Sequence, residues 1–207
     1  MVGLGNPGRQ YVGTRHNIGY EAVDALAIRL GWVGSVDEFN RLAKEKFEGL
    51  SLDGAAPSDE MLLLLMPMTF MNCSGRSVQS AISFYQLAPQ DVMIVLDDLA
   101  LPCGRLRLRA GGSSGGHNGL KDIEQAIGTS EYPRLRIGID PPPPMIDGKD
   151  YVLGKFTPEQ RKLVNPAIDR AGEAILMWID KGIATAMNQF NAEPKDEIED
   201  RESEDRG

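Results

Sequence analysis

The sequence predicts an α/β protein, a layered fold with helices packed on a mostly parallel or mixed sheet. Three observations carry that expectation. Val92 to Leu96 is a continuous apolar run, the pattern of a strand buried on both faces. Arg105-Leu106-Arg107-Leu108-Arg109 alternates with period two, which turns the leucines to a core and the arginines to the other side. Stretches of helical apolar spacing lie between such strands, so the two periodicities alternate along the chain. At 207 residues the chain suits one domain with its own core.

In chain order, Met1 to Leu4 reads as the end of a short strand whose natural start is expected upstream, followed by the turn Gly5-Asn6-Pro7-Gly8. From Asn17 the positions Ile18, Ala22, Val23, Ala25, Leu26 and Leu30 recur at helical spacing up to Gly31, a C-terminal cap. Leu42 to Leu52 and Met61 to Met66 read as paired strands, separated by the turn signal Asp53-Gly54 and the polar insert Ala55 to Glu60. A loop through Pro67 to Asn72 leads into a helix over Ser74 to Leu87, then into the Val92 to Leu96 strand, which ends in Asp97-Asp98. After the arginine-leucine strand, the glycine-rich segment Gly111 to Gly116 precedes a helix through Ile127, and Leu135 to Ile139 is the next strand. Pro141 to Pro144 excludes sheet interior. Pro158 suits a first helical turn, Leu163 to Ile179 is amphipathic up to Gly182, and a last helix covers Ile183 to Phe190.

Composition narrows the function classes. The longest aliphatic stretch, Met61 to Met66, falls far short of the roughly 20 residues that span a bilayer, and no secretion signal opens the chain. Cys73 and Cys103 are expected as free thiols in a reducing, cytoplasmic setting. The net charge of −8 argues against a nucleic-acid partner only until it is located. Glu193 to Gly207 holds eight acids against three bases, −5 of the total, and leaves −3 on the body. We therefore expect a folded unit over residues 1–191 and an acidic, disordered tail over 192–207.

Two familiar patterns are weak here. Gly3-Leu4-Gly5-Asn6-Pro7-Gly8 matches a dinucleotide fingerprint with Asp24 at a suitable distance, but Arg9 to Arg15 lacks the helical pattern that would hold a pyrophosphate. Gly112-Ser113-Ser114-Gly115-Gly116 matches a nucleophile elbow, but the acid and histidine of that fold should follow the serine, whereas His16 and Asp97 precede it. The two histidines, His16 and His117, lack a second ligand at metal spacing, so no metal is expected. Both stand before an asparagine, in loops that follow strands. The carboxyl ends of strands are where α/β sites assemble; Asp97 belongs to such an edge, and the sequence allows Asn6, His16, Asn72 and Asn118 to converge on it.

Gly3-Leu4-Gly5-Asn6-Pro7-Gly8, Thr14-Arg15-His16-Asn17, Thr69-Phe70-Met71-Asn72, Gly115-Gly116-His117-Asn118-Gly119-Leu120-Lys121 and Arg134-Leu135-Arg136-Ile137-Gly138-Ile139 together resemble the bacterial-type peptidyl-tRNA hydrolase family. The order and spacing agree from Met1 to about Asn191, and Ala100 stands where the family commonly shows a further acid. The resemblance implies a single domain with a mixed twisted sheet and helices packed on its faces, a monomer without cofactor, and hydrolysis of the ester between peptide and tRNA. It implies His16 as general base, Asp97 as its carboxylate partner and Asn6 as the residue that discriminates N-blocked substrates. Tyr11, Phe70, Met71, Asn72, His117 and Asn118 would hold the tRNA 3′ end and the peptide. Arg109, Lys121 and Arg136, with Arg105, Arg107 and Arg134, would meet phosphates. A non-catalytic RNA-binding member of the same fold, of the intron-splicing kind, is the alternative.

Overall fold

Strands β1 (Val2–Gly3), β2 (Lys44–Lys46), β3 (Gly49–Ala55), β4 (Met61–Pro67), β5 (Ile94–Asp98), β6 (Leu106–Arg109) and β7 (Arg134–Gly138) form one sheet in the order β2-β3-β4-β1-β5-β7-β6. This is a computed structural model, and it describes residues 1–192. β1 lies parallel to β4 and β5, and β5 parallel to β7, while the β2-β3, β3-β4 and β6-β7 pairs are antiparallel. The sheet is mixed, as expected.

Helices α1 (Ile18–Arg29), α2 (Val36–Leu42), α3 (Ser74–Tyr85), α4 (Asn118–Ile127), α5 (Gly148–Leu153) and α6 (Pro158–Phe190) complete the fold. Alternate residues of β5 enter two cores: Val95 joins Leu26 of α1 and Ala171 of α6, while Ile94 and Leu96 join Val78 of α3 and Leu120 of α4. That two-sided burial is why the strand is apolar throughout. In β6, Leu106 and Leu108 are buried and Arg107 and Arg109 exposed, the alternation read from the sequence. α6 bends at Gly182, whose φ of 78° interrupts the helix where the sequence placed a boundary.

The region between α1 and β4 differs from expectation. Asp53-Gly54 is not a turn but lies inside β3, opposite Leu63 and Leu62. Gly54 serves the sheet there because the Trp32 ring crosses it: a Cβ would meet that ring at 2.7 Å. The reversal between β3 and β4 falls just after it, at residues 56–60 within the expected polar insert, and a further, unexpected hairpin at Phe47-Glu48, both at positive φ, splits the first expected strand into β2 and β3. The expected strand also starts later, since Val36–Leu42 is helical. Ser35 caps it by accepting from the Glu38 N–H, the serine-x-x-glutamate signature of a helix start. The short α5, begun by Asp147 accepting from Lys149, was likewise not expected. The acidic-tail expectation falls on residues 193–207, outside the described residues.

Candidate active site

Because β1, β4 and β5 run parallel, the turns that follow them emerge on the same edge of the sheet. Asn6 follows β1, Phe70 to Asn72 follow β4, and Asp97 is the penultimate residue of β5. His16 sits in a single 3-10 turn, Arg15–Asn17, that leads straight into α1. Several bonds fix that turn. The Asn17 side chain accepts from the Asn6 N–H and donates to the Asn6 carbonyl, both at 2.9 Å. Buried Arg15 donates to the Tyr151 carbonyl and to Gln160 Oε1, with its guanidinium 4.0 Å above the Tyr151 ring. The turn is thus tied to β1 on one side and to α5 and α6 on the other.

The first glycines of the chain also explain its closeness to the sheet. A Cβ on Gly19 would stand 2.4 Å from the Leu4 nitrogen and 2.5 Å from the Val95 oxygen, so α1 starts directly on the β1 and β5 backbones. Gly3 and Gly5 serve this packing against Gly19 and Tyr20. The dinucleotide pattern therefore has another cause. No helix opens at Gly8, which leads into the 3-10 turn Arg9–Tyr11.

His16 Nδ1 lies 2.8 Å from Asp97 Oδ1, with both side chains buried. A carboxylate accepts, so Nδ1 carries the proton and Nε2 keeps its lone pair. Nε2 makes no hydrogen bond among the described residues. His117 Nε2 reaches the same Asp97 Oδ1 at 3.2 Å. The Leu120 N–H donates to His117 Nδ1 at 3.4 Å, which caps α4 and leaves the His117 proton on Nε2. Both His117 nitrogens are thus occupied within the protein, so its ring acts on Asp97 rather than offering a free group to a substrate. Burial alone would push the Asp97 carboxyl up, but the charges of His16 and His117 and their hydrogen bonds outweigh it and hold Asp97 well below the usual carboxylate range.

The donor atoms of His16, Asp97 and His117 lie within 4.8 Å of one another, the one grouping among the described residues with metal-ligand character. Both histidine rings contact the same oxygen of that carboxylate, Asp97 Oδ1. Ser113 and Ser114 do not form a nucleophile pair with His117. The Ser113 carbonyl accepts from Arg134, the Ser114 carbonyl accepts from the His117 N–H, and the His117 ring is committed to Asp97 and Leu120.

Three asparagines lie on the turns that meet at Met71. Asn6 is buried, its Oδ1 accepts from the Met71 N–H at 2.8 Å, and its Nδ2 is left without a partner among the described residues. Asn72 and Asn118 are exposed, on turns held together by Met71, whose sulfur packs against Gly119. Tyr11 and Phe70 meet edge to face at 6.5 Å, with Phe70 largely exposed. Asn17 and Arg15 were missed as positioning residues. The sequence signal for Asn17 is its place directly after His16; Arg15 has none beyond its place directly before it.

A family model described as peptidyl-tRNA hydrolase matches residues 1–199. The chain belongs to the peptidyl-tRNA hydrolase family. It is 46% identical over 191 residues to the peptidyl-tRNA hydrolase of Bacillus cytotoxicus, covering 92% of this chain and 98% of that protein. It is 45% identical over 194 residues to that of Gloeobacter violaceus, covering 93% of each. Among solved structures, the peptidyl-tRNA hydrolase of Acinetobacter baumannii superposes with a TM-score of 0.83 at 40% identity, covering 92% of this chain and 93% of that one. The family expectation from the motifs thus agrees with matches along nearly the whole chain.

The expected phosphate-binding residues are not equivalent. Arg109 and Lys121 are exposed and make no ion pair among the described residues. Arg136 is half-buried, its Nε 3.1 Å from Asp98 Oδ2. Arg134 is a correction: it is 2% exposed and bonds Glu124 and the Ser113 and Ser130 carbonyls, so it braces the glycine-rich loop and does not face solvent. Arg105 reaches the Asn191 carbonyl. Alternation along a strand assigned these arginines to a face, but helix α4 and its flanking loops cover part of that face.

Proposed function

We propose that this protein hydrolyses the ester that joins a peptide to the terminal ribose of tRNA, releasing both for reuse. The observation that carries the reading is His16, whose Nδ1 is held by a buried carboxylate while Nε2 stays open at the carboxyl edge of the sheet. In this reading, His16 Nε2 takes a proton from water as the water oxygen attacks the ester carbonyl. The same proton then goes to the departing ribose oxygen as the carbonyl–oxygen bond breaks. Base catalysis of this kind supplies roughly 10²- to 10⁴-fold in rate. The unpartnered Asn6 Nδ2, with the Asn72 and Asn118 amides, provides neutral donors for the developing oxyanion and for the blocked amino terminus. Asn6 then discriminates N-blocked from free aminoacyl groups, and Met71 fixes its amide.

Tyr11 and Phe70 suit stacking of the unpaired 3′-terminal bases, and Arg109 and Lys121, with Arg136 to a lesser degree, suit the stem phosphates. His117 contributes through Asp97. We read residues 1–191 as the catalytic unit and 192–207 as an appended tail. The enzyme works on this reading as a cytoplasmic monomer, and its imidazole base needs no metal or cofactor to generate the nucleophile. No described helix is long and apolar enough to cross a membrane. The test is release of the N-acetylated amino acid from purified N-acetyl-aminoacyl-tRNA, with the free aminoacyl-tRNA as control. Rapid release from the blocked substrate alone is expected. Tight tRNA binding without release would replace this reading with the non-catalytic RNA-binding one, which the buried His16–Asp97 pair disfavours.

A further inference from the structure

The chain leaves the described fold at the free edge of the sheet, beside its most exposed arginines. Asn191, just past α6, lays its side-chain amide along β6. Its Oδ1 accepts from the Leu108 N–H at 2.7 Å and its Nδ2 donates to the Leu108 carbonyl at 3.1 Å. Arg105 donates to the Asn191 carbonyl at 2.9 Å. An asparagine that satisfies both backbone groups of an edge residue stands in for a neighbouring strand and fixes where the following chain begins. That point adjoins the outward row Arg107 and Arg109, neither of which has a hydrogen bond or ion pair among the described residues. Across the register lie Arg136 and Arg134, already matched by Asp98 and Glu124. The uncompensated charge of this face is therefore on β6, and residues 193–207, which follow the anchor, hold eight acids against three bases.

We propose that the acidic segment 193–207 is the resident counter-ion of the β6 arginine face and competes there with nucleic-acid phosphates for Arg107 and Arg109. The competition rests on the reading that this face meets tRNA. Reach is no obstacle, since a chain extends up to about 3.3–3.6 Å per residue and the face is one short strand long. A short tether holds the acids at an effective concentration in roughly the millimolar range, enough for weak exposed ion pairs to be populated and too little to resist a polyanion. Counter-ions screen such pairs, so the tail weakens RNA binding most at low salt and makes its dependence on ionic strength shallower.

The test uses the full chain and a variant whose eight tail acids are replaced by their neutral amides. Without RNA, the amide and guanidinium NMR signals of Arg107 and Arg109 should differ between the two proteins at low salt and coincide at about 0.5 M, where the screening length is only a few ångströms. Identical spectra at low salt would overturn the docking. With deacylated tRNA as probe, the neutral-tail protein should bind about 3- to 10-fold tighter at low salt. That gain should vanish at high salt and in the Arg107→Gln, Arg109→Gln background. An equal gain in that background would mean the tail acts through overall charge, which overturns the proposal. Spectra that differ while tRNA affinity stays unchanged would overturn the competition and show that RNA does not use this face, whether or not the ester is hydrolysed.

Discussion

Two hydrogen bonds on one carboxylate oxygen decide which imidazole can act as a base. His16 gives Nδ1 to Asp97 and keeps Nε2 open, whereas His117 gives Nε2 to Asp97 and spends Nδ1 on the α4 cap. His16→Ala should lower kcat by orders of magnitude with tRNA affinity nearly unchanged, and Asp97→Asn should also lose rate. The double variant should lose little more than His16→Ala alone, because residues that act as a unit are strongly non-additive. The acidic limb of kcat/KM reports protonation of the base, and Asp97→Asn should move it to lower pH by removing the charge that favours the protonated ring. Near-wild-type turnover by His16→Ala would end this mechanism. For His117 the prediction separates its two nitrogens. His117→Gln places an amide near Nε2 and should retain more kcat than His117→Asn, whose shorter amide mimics Nδ1 and keeps only the cap. Equal rates in the two variants would show that the bond from His117 to Asp97 carries no catalytic weight.

Helix α1 follows directly on the His16 turn and carries an electrostatic burden of its own. Its Asp24 has a buried Oδ1 without a partner, and burial, with the Glu21 charge adding, pushes the carboxyl up to about 7. Below the unfolded range near ~4 the group is protonated in both states and costs nothing. As pH rises from there through 7, only the folded state is penalised, so stability falls. Asp24→Asn should stabilise the protein by on the order of 1–2 kcal/mol at pH 8, and by much less near pH 4.5, in urea denaturation. A gain independent of pH would assign the effect to packing. Elements whose signals are local were legible in the sequence: α1 from its apolar spacing, β5 from its run, β6 from its alternation, and the bend at Gly182. The hairpin between β2 and β3 was not. Asp53-Gly54 carries turn chemistry but is pinned into β3 by Trp32, while Phe47-Glu48 turns without the usual residues because the β2-β3 pairing, Lys46 opposite Gly49, closes on those two residues.

Over the whole molecule, net charge misdescribes the surface that would meet RNA. Arg109→Ala should make the slope of log affinity against log salt shallower by about one unit, while Arg136→Ala, whose partner Asp98 already offsets it, should change the slope less. Titrations with deacylated tRNA over about 50–200 mM salt read this directly, and an unchanged slope for Arg109→Ala would remove it from the interface. By itself, the sequence determined the α/β class, most of the elements and the motifs that mark the family. These depend on periodicity and short-range chemistry, which a linear string carries in full. It also named His16, Asp97, Asn6, Asn72 and Asn118, because each falls at the carboxyl end of a strand or in a motif. Only the tertiary structure decided what each does to the others. Asp97 receives two histidines that lie 81 and 20 residues away, and one oxygen serves both. Arg134 and Arg109 oppose each other in register on one face of the sheet, yet one is buried under the α4 side and the other open to solvent. Strand alternation specifies the face a side chain takes, whereas the elements packed on that face decide whether its charge is spent inside the fold or left for a partner.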